Sequence, residues 1–222
     1  MKPLLSLLLA SLLCVSPLSG QAQNPTPEAE ALLASALALA PDAKRGAAEF
    51  AEQSCTACHR KDASGRPASN TPRLSRQHAA VIIKQVLDIR SGLRHNPPMQ
   101  PMVTEEELSL QTLADIAAYL QSLPVTGKLA KGPGSGVARG KQVFDNACSG
   151  CHGAGGEGTQ AIFAPMVAAQ HYPYLLRELE FIRDGKRGNS NPAMSSLIKA
   201  YTQDDLQAVA DYMAQLPAPE RP

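Results

Sequence analysis

The 222-residue chain has no tryptophan, and aromatic residues of all kinds make up only 4% of it. Small domains so poor in large side chains need help to build a core. Charge of one sign is also missing: the formal net charge is +1, which gives no case for a nucleic-acid binder or a reader of charged membrane surfaces. Period-two strand signals are nearly absent, which excludes a sheet-based fold and points to an all-α protein. Of the five cysteines, four sit in two short motifs, and the fifth, Cys14, lies in a segment expected to be removed.

What is there is organised around Cys55-Thr56-Ala57-Cys58-His59 and its second copy, Cys148-Ser149-Gly150-Cys151-His152. Cys-x-x-Cys-His is the attachment pattern of a c-type haem. Two thiols reach two vinyl groups and form thioethers, and the following histidine is held under the iron as proximal ligand. A thioredoxin-like pair would need a βαβ pattern, and none is visible. A four-cysteine zinc site wants its pairs about 15–20 residues apart, whereas Cys55 and Cys148 are 93 residues apart. A disulfide framework does not require a histidine after each pair. Haem is also a large apolar filler for an aromatic-poor core.

Met1 to Ala22 has the layout of a secretory signal peptide: Lys2, an apolar run from Leu4 to Leu18, then Gly20-Gln21-Ala22 with small residues at −3 and −1. The run is short of the ~20 residues that span a bilayer. Ser11-Leu12-Leu13-Cys14 lacks the small residue expected before a lipidated cysteine. A cleaved, exported, periplasmic protein is therefore expected. In the flank 23–41, Glu28 to Ala40 is rich in alanine and leucine and reads as a helix packed on the first domain.

The remainder is an internal repeat with a period of 93 residues. His59 matches His152, Gly65 matches Gly158, and Pro72 matches Pro165. Gln77-His78 matches Gln170-His171, and Arg90, Gly92 and Arg94 match Arg183, Gly185 and Arg187. Asn96-Pro97-Pro98-Met99 matches Asn191-Pro192-Ala193-Met194 at an offset of 95, so the second copy carries two extra residues there. Each copy reads as helical: a short helix before the haem motif, a middle helix beginning near Ser75 as N-cap, and a last amphipathic helix. In the last helices Leu113, Ile116, Ala117 and Leu120 recur as Leu206, Val209, Ala210 and Met213. Thr202 with Asp205 resembles a capping box. Gly127 to Gly136 contains four glycines and a proline and suits an exposed linker. The domain division that follows is 1–22 signal, 23–41 flank, 42–124 first domain, 125–136 linker and 137–217 second domain.

With these motifs in hand the sequence resembles the class I cytochromes c, and the tandem arrangement is similar to the dihaem cytochrome c4 family. The resemblance implies two covalently bound haems and a contact of Gly46 and Phe50 with Tyr119, repeated by Gly140, Phe144 and Tyr212. It also implies that the carbonyls of Pro72 and Pro165 orient His59 and His152. A methionine sixth ligand favours ferrous iron: Met194 in the second domain and Met99 in the first, with Met102 also in range. His78 and His171, each near the start of a middle helix, are weaker ligand candidates. The glycine run from Gly153 to Gly158 is no phosphate loop, because no Gly-Lys-Ser/Thr follows; it reads as flexible backbone near the haem edge.

An iron with both axial positions filled has no vacant site for substrate, so the resemblance implies an electron carrier rather than an enzyme. Its expected partners are a quinol-oxidising complex upstream and a haem–copper terminal oxidase downstream, with peripheral association with a membrane complex. A dihaem cytochrome subunit of a dehydrogenase, such as flavoprotein sulfide dehydrogenase, is the alternative. A haem with cysteine as axial ligand would need a spare cysteine, which the mature chain lacks. From Arg60 to Arg94 eight basic residues stand against Asp62 and Asp88, while the matching stretch from Gly153 to Arg187 balances four against four. That excess predicts a first domain facing an acidic partner and a second facing a more neutral one.

Overall fold

The computed structural model describes residues 25–220. The expected signal segment Met1 to Ala22 and the mature start near Gln23 lie outside the described residues. Among the described residues there is no β-strand; two isolated bridges, Arg66 with Thr71 and Thr159 with Ala164, close equivalent loops of the two repeats.

A leading helix, α1 (Pro27–Leu37), is capped by Thr26 and buries Ala36, with Leu32 and Leu33 packed on the first core. It lies against the middle and last helices of the first unit, as expected for the flank. The first unit then runs α2 (Ala43–Glu52), α3 (Cys55–His59), α4 (Ala79–Arg90) and α5 (Leu110–Ser122). The second runs α6 (Val137–Val143), a π-turn over Phe144–Cys148, α7 (Ser149–His152), α8 (Tyr172–Arg183), α9 (Pro192–Ile198) and α10 (Gln203–Gln215). The all-α fold of two tandem units is thus the one expected.

In each unit the first and last helices cross in contact, α2 on α5 and α6 on α10. The crossing is close because each first helix presents glycine. A Cβ at Gly46 would lie 2.0 Å from the Asp115 carbonyl oxygen, and one at Gly140 2.0 Å from that of Ala208. One turn on, Phe50 meets Tyr119 with ring centroids 5.9 Å apart, and Phe144 meets Tyr212 at 5.4 Å, both tilted. The last helix of the second unit carries the expected capping box of Thr202 and Asp205.

The middle helix does not begin at Ser75. It begins at Ala79, and Ser75 is buried with no hydrogen-bond partner for its hydroxyl. Arg73, Gln77 and His78 are instead committed to the boundary between the units, as described below, while the N–H groups of Leu74, Ser75 and Arg76 bond carbonyls of the first unit. Gln121 Oε1 takes the place of a cap by accepting from Ala79 N–H at 2.7 Å.

The glycine-rich segment 125–136 is held at both ends. Thr126 bonds Asp62, and its carbonyl accepts from Arg73. Farther along, Ala130 N–H donates to His171 Nδ1, and the Asp211 carboxylate accepts from the N–H groups of Gly134 and Gly136. These bonds fix the separation of the two units more tightly than a free glycine linker would.

Candidate haem sites

His59 ends α3 and is buried, 7% exposed. Its Nδ1 lies 3.3 Å from the Pro72 carbonyl oxygen, and His152 Nδ1 lies 2.9 Å from that of Pro165. A carbonyl only accepts, so each Nδ1 carries the proton and each Nε2 is left with a lone pair for a metal. Burial pushes both imidazoles below the ordinary histidine range, and for His152 the nearby Arg187 adds to it, against the opposing hydrogen bond to the proline carbonyl. Both are therefore neutral at pH 7, the ligating form.

The loop from histidine to proline folds back tightly. Gly65 and Gly158 adopt φ of +77° and +82°, and a Cβ on either would come within about 2.6 Å of the Pro72 or Pro165 peptide. Only glycine can occupy these positions without moving the acceptor of the imidazole proton. The run Gly153 to Gly158 is a hydrogen-bonded turn: Gly156 N–H donates to Gly153 O, and Glu157 accepts from Gly155 N–H at 2.8 Å.

Among the motif cysteines, Cys58 and Cys151 are exposed and Cys55 and Cys148 half-buried. Burial, with the neighbouring Cys151 adding to it, raises the Cys148 thiol to about 11. In the second unit an apolar cavity is lined by Cys148, Val143, Leu179, Met194, Ile198 and Tyr201 among others. A thiol and a methionine thus border one apolar space, the requirement for a covalently attached, apolar macrocycle. In the first unit Cys55 and Met99 pack on a common core as Cys148 and Met194 do in the second, whereas Met102 is 45% exposed. His78 and His171 are turned elsewhere: Nε2 of each donates to a main-chain oxygen, of Glu157 at 2.8 Å and of Ser64 at 2.7 Å.

About half of the basic residues counted along the first repeat are spent inside the protein. Arg73 is buried, Arg90 donates to the carbonyls of Val103 and Leu108, Arg94 pairs with Glu178, and Lys84 with Asp88. Arg60, Lys61 and Arg66 stay exposed beside the exposed Cys58, while the matching surface of the second unit presents Ala154, Gln160, Ala161 and Ile162. Charge counting missed this because it cannot tell a solvated cation from one satisfied by buried carbonyls.

Two helical units, each with an oriented histidine and flanking thiols on an apolar core, define a tandem c-type haem protein. A cytochrome c family model matches residues 43–124 and again 137–217. The chain is 36% identical to a thiosulfate dehydrogenase electron acceptor of Stutzerimonas stutzeri, over 84% of this chain and 91% of that protein. It is 33% identical to cytochrome c4 of Pseudomonas aeruginosa, over 79% of this chain and 89% of that one. The crystal structure of reduced recombinant cytochrome c4 from Pseudomonas stutzeri superposes with a TM-score of 0.70 at 29% identity, over 80% of this chain and all of that one. The chain belongs to the cytochrome c family, in its dihaem cytochrome c4 branch. It is an electron-transfer protein that carries two covalently bound haem c groups and exchanges electrons with protein redox partners.

Proposed function

We propose that the chain is an exported, periplasmic shuttle in which Cys55, Cys58, Cys148 and Cys151 form the thioethers. His59 and Met99 hold one iron, and His152 and Met194 the other. The observation that carries this reading is the bond from each histidine Nδ1 to a proline carbonyl 13 residues on, which leaves Nε2 as the metal-binding nitrogen in both units. When bound, the haem supplies one-electron chemistry at iron. The protein's own contribution is to fix the imidazole, bury the iron among apolar side chains and leave one edge near Cys58 and Cys151 accessible. Among the described residues no helix is long and apolar enough to cross a membrane, which suits peripheral contact with membrane complexes.

A quinol-oxidising complex as donor and a haem–copper terminal oxidase as acceptor fit such a shuttle. Similarity to a thiosulfate dehydrogenase electron acceptor supports a dehydrogenase as a further donor. Purification from periplasm and native membranes tests the reading. Intact mass should show a chain beginning near Gln23 with two haems and no free thiol. Rapid mixing should show second-order exchange with the partner complexes. A retained N-terminal segment, one haem, or a stoichiometric catalytic subunit that never dissociates would each count against it.

A further inference from the structure

The repeated pair Gln77-His78 and Gln170-His171 has no part in the ligand set, yet all four side chains work across the boundary between the units. Gln170 Oε1 accepts from Arg73 N–H at 2.9 Å and its Nε2 donates to Arg73 O at 3.0 Å. Gln77 does the same to Met166, at 2.9 and 3.0 Å. The Arg73 N–H belongs to the same peptide group as the Pro72 carbonyl, the acceptor of the His59 ring proton. The Met166 N–H likewise shares its peptide with the Pro165 carbonyl that orients His152.

The histidines of the pair make a second, parallel link. His171 Nε2 donates to Ser64 O at 2.7 Å, and the N–H of that same peptide, on Gly65, donates to the His59 carbonyl at 3.0 Å. His78 Nε2 reaches Glu157 O at 2.8 Å, and Gly158 N–H reaches the His152 carbonyl at 2.7 Å. This second link holds the main chain, while the glutamine link ends on the imidazole ring.

We propose that Gln77 and Gln170 are crossed positioning residues: each sets, through one peptide group, the hydrogen-bond strength at the proximal imidazole of the opposite unit. The proposal rests on His59 and His152 as the proximal ligands. A peptide whose N–H is donated becomes more negative at its carbonyl. It then draws the Nδ1 proton more strongly, and the imidazole becomes a more basic ligand that favours ferric iron. Both glutamines are buried, 8% and 6% exposed, so bulk water screens little of the effect. The haem of the first unit thus answers to Gln170, and that of the second to Gln77.

The test uses the intact dihaem protein and two readouts, the proximal Nδ1–H proton resonances of the reduced protein and the two potentials. Gln170→Met keeps the size and removes both bonds to Arg73, along with the one that Oε1 accepts from His171 N–H at 3.0 Å within its own unit. The His59 resonance should move upfield and the first haem's potential should rise, with His152 and the second haem unmoved; Gln77→Met should give the mirror image. Equal movement at both histidines, movement in the glutamine's own unit, or none would overturn the proposal. If Gln170→Met fails to fold, Gln170→Glu decides. As the neutral acid it keeps both bonds and the parent resonance. As the introduced carboxyl ionises, the His59 resonance alone should move downfield, and a titration that leaves it still overturns the crossed link. A parent protein lacking a proximal Nδ1–H resonance would instead defeat the ligand assignment.

Discussion

Arg60 and Gly153 stand at the same place, directly after the two haem-motif histidines, and hold the same backbone conformation: φ 66°, ψ 164° for Arg60 and φ 78°, ψ 155° for Gly153. This region is nearly reserved for glycine, and a side chain there costs on the order of 1–3 kcal/mol. The first unit keeps an exposed cation in a position that its own repeat shows to be better suited to glycine.

Arg60→Gly should therefore stabilise the protein by about 1 kcal/mol in denaturant unfolding, while removing a charge beside Cys58. Arg60→Gln with Lys61→Gln should slow second-order electron transfer to an acidic partner at low salt, through the first haem only. The difference should shrink as ionic strength rises and the screening length falls toward ~8 Å. Equal slowing at both haems would sink the docking reading.

The distal ligands separate by spectroscopy. Met99→Ala and Met194→Ala should each abolish one methionine-to-iron charge-transfer band and lower one potential, leaving the other haem nearly unchanged. Met102→Ala should do little, in keeping with its exposed side chain. Loss of the band in Met102→Ala but not in Met99→Ala would reassign the first unit's ligand.

Acid should act on the boundary between the units. Burial pushes the Glu178 carboxyl up, but Arg187, Arg94 and Arg177 outweigh it and hold it at about 2 against an ordinary 4.5. A carboxylate lowered on folding contributes stability that is complete above the unfolded value and is lost as pH falls toward the folded one. The contribution is of order 3 kcal/mol and should disappear between about pH 4.5 and 2. Scattering and near-ultraviolet dichroism against pH would follow it. Glu178→Gln should flatten the response in that window and lower stability at pH 7.

Gly46→Ala should be among the most damaging single methyl additions. Its Cβ would sit 2.0 Å from one backbone atom of α5 and 2.3 Å from another, so the helices must separate, at a cost of about 3 kcal/mol or more. Gly150→Ala, with nothing within 4 Å, should stay within about 0.5 kcal/mol. Comparable losses in the two variants would contradict the packing argument.

Much of the fold could be read from residues near one another in the chain. The haem motifs, the helical periodicities, the capping box at Thr202 and the 93-residue repeat are local or periodic signals. Each states its chemistry in a few consecutive residues. The repeat also exposed Gln77-His78 and Gln170-His171 as a pair, but gave no reason for them beyond their place near the middle helices.

Tertiary structure decided the rest. Ser75 is a good cap by type, but the chain around it is drawn to the other unit and the helix starts at Ala79. Arg73, Arg90 and Arg94 count as charge in the sequence and serve as internal hydrogen-bond donors in the fold. The bonds that define the boundary join residues 79 to 107 positions apart, a separation that no helix or strand pattern reaches. The sequence by itself determined two copies of one haem-binding helical unit, because motif, helix and cap depend on near neighbours. Only tertiary structure decided which peptide each glutamine holds, because that depends on how two separately encoded surfaces meet and desolvate each other's polar groups.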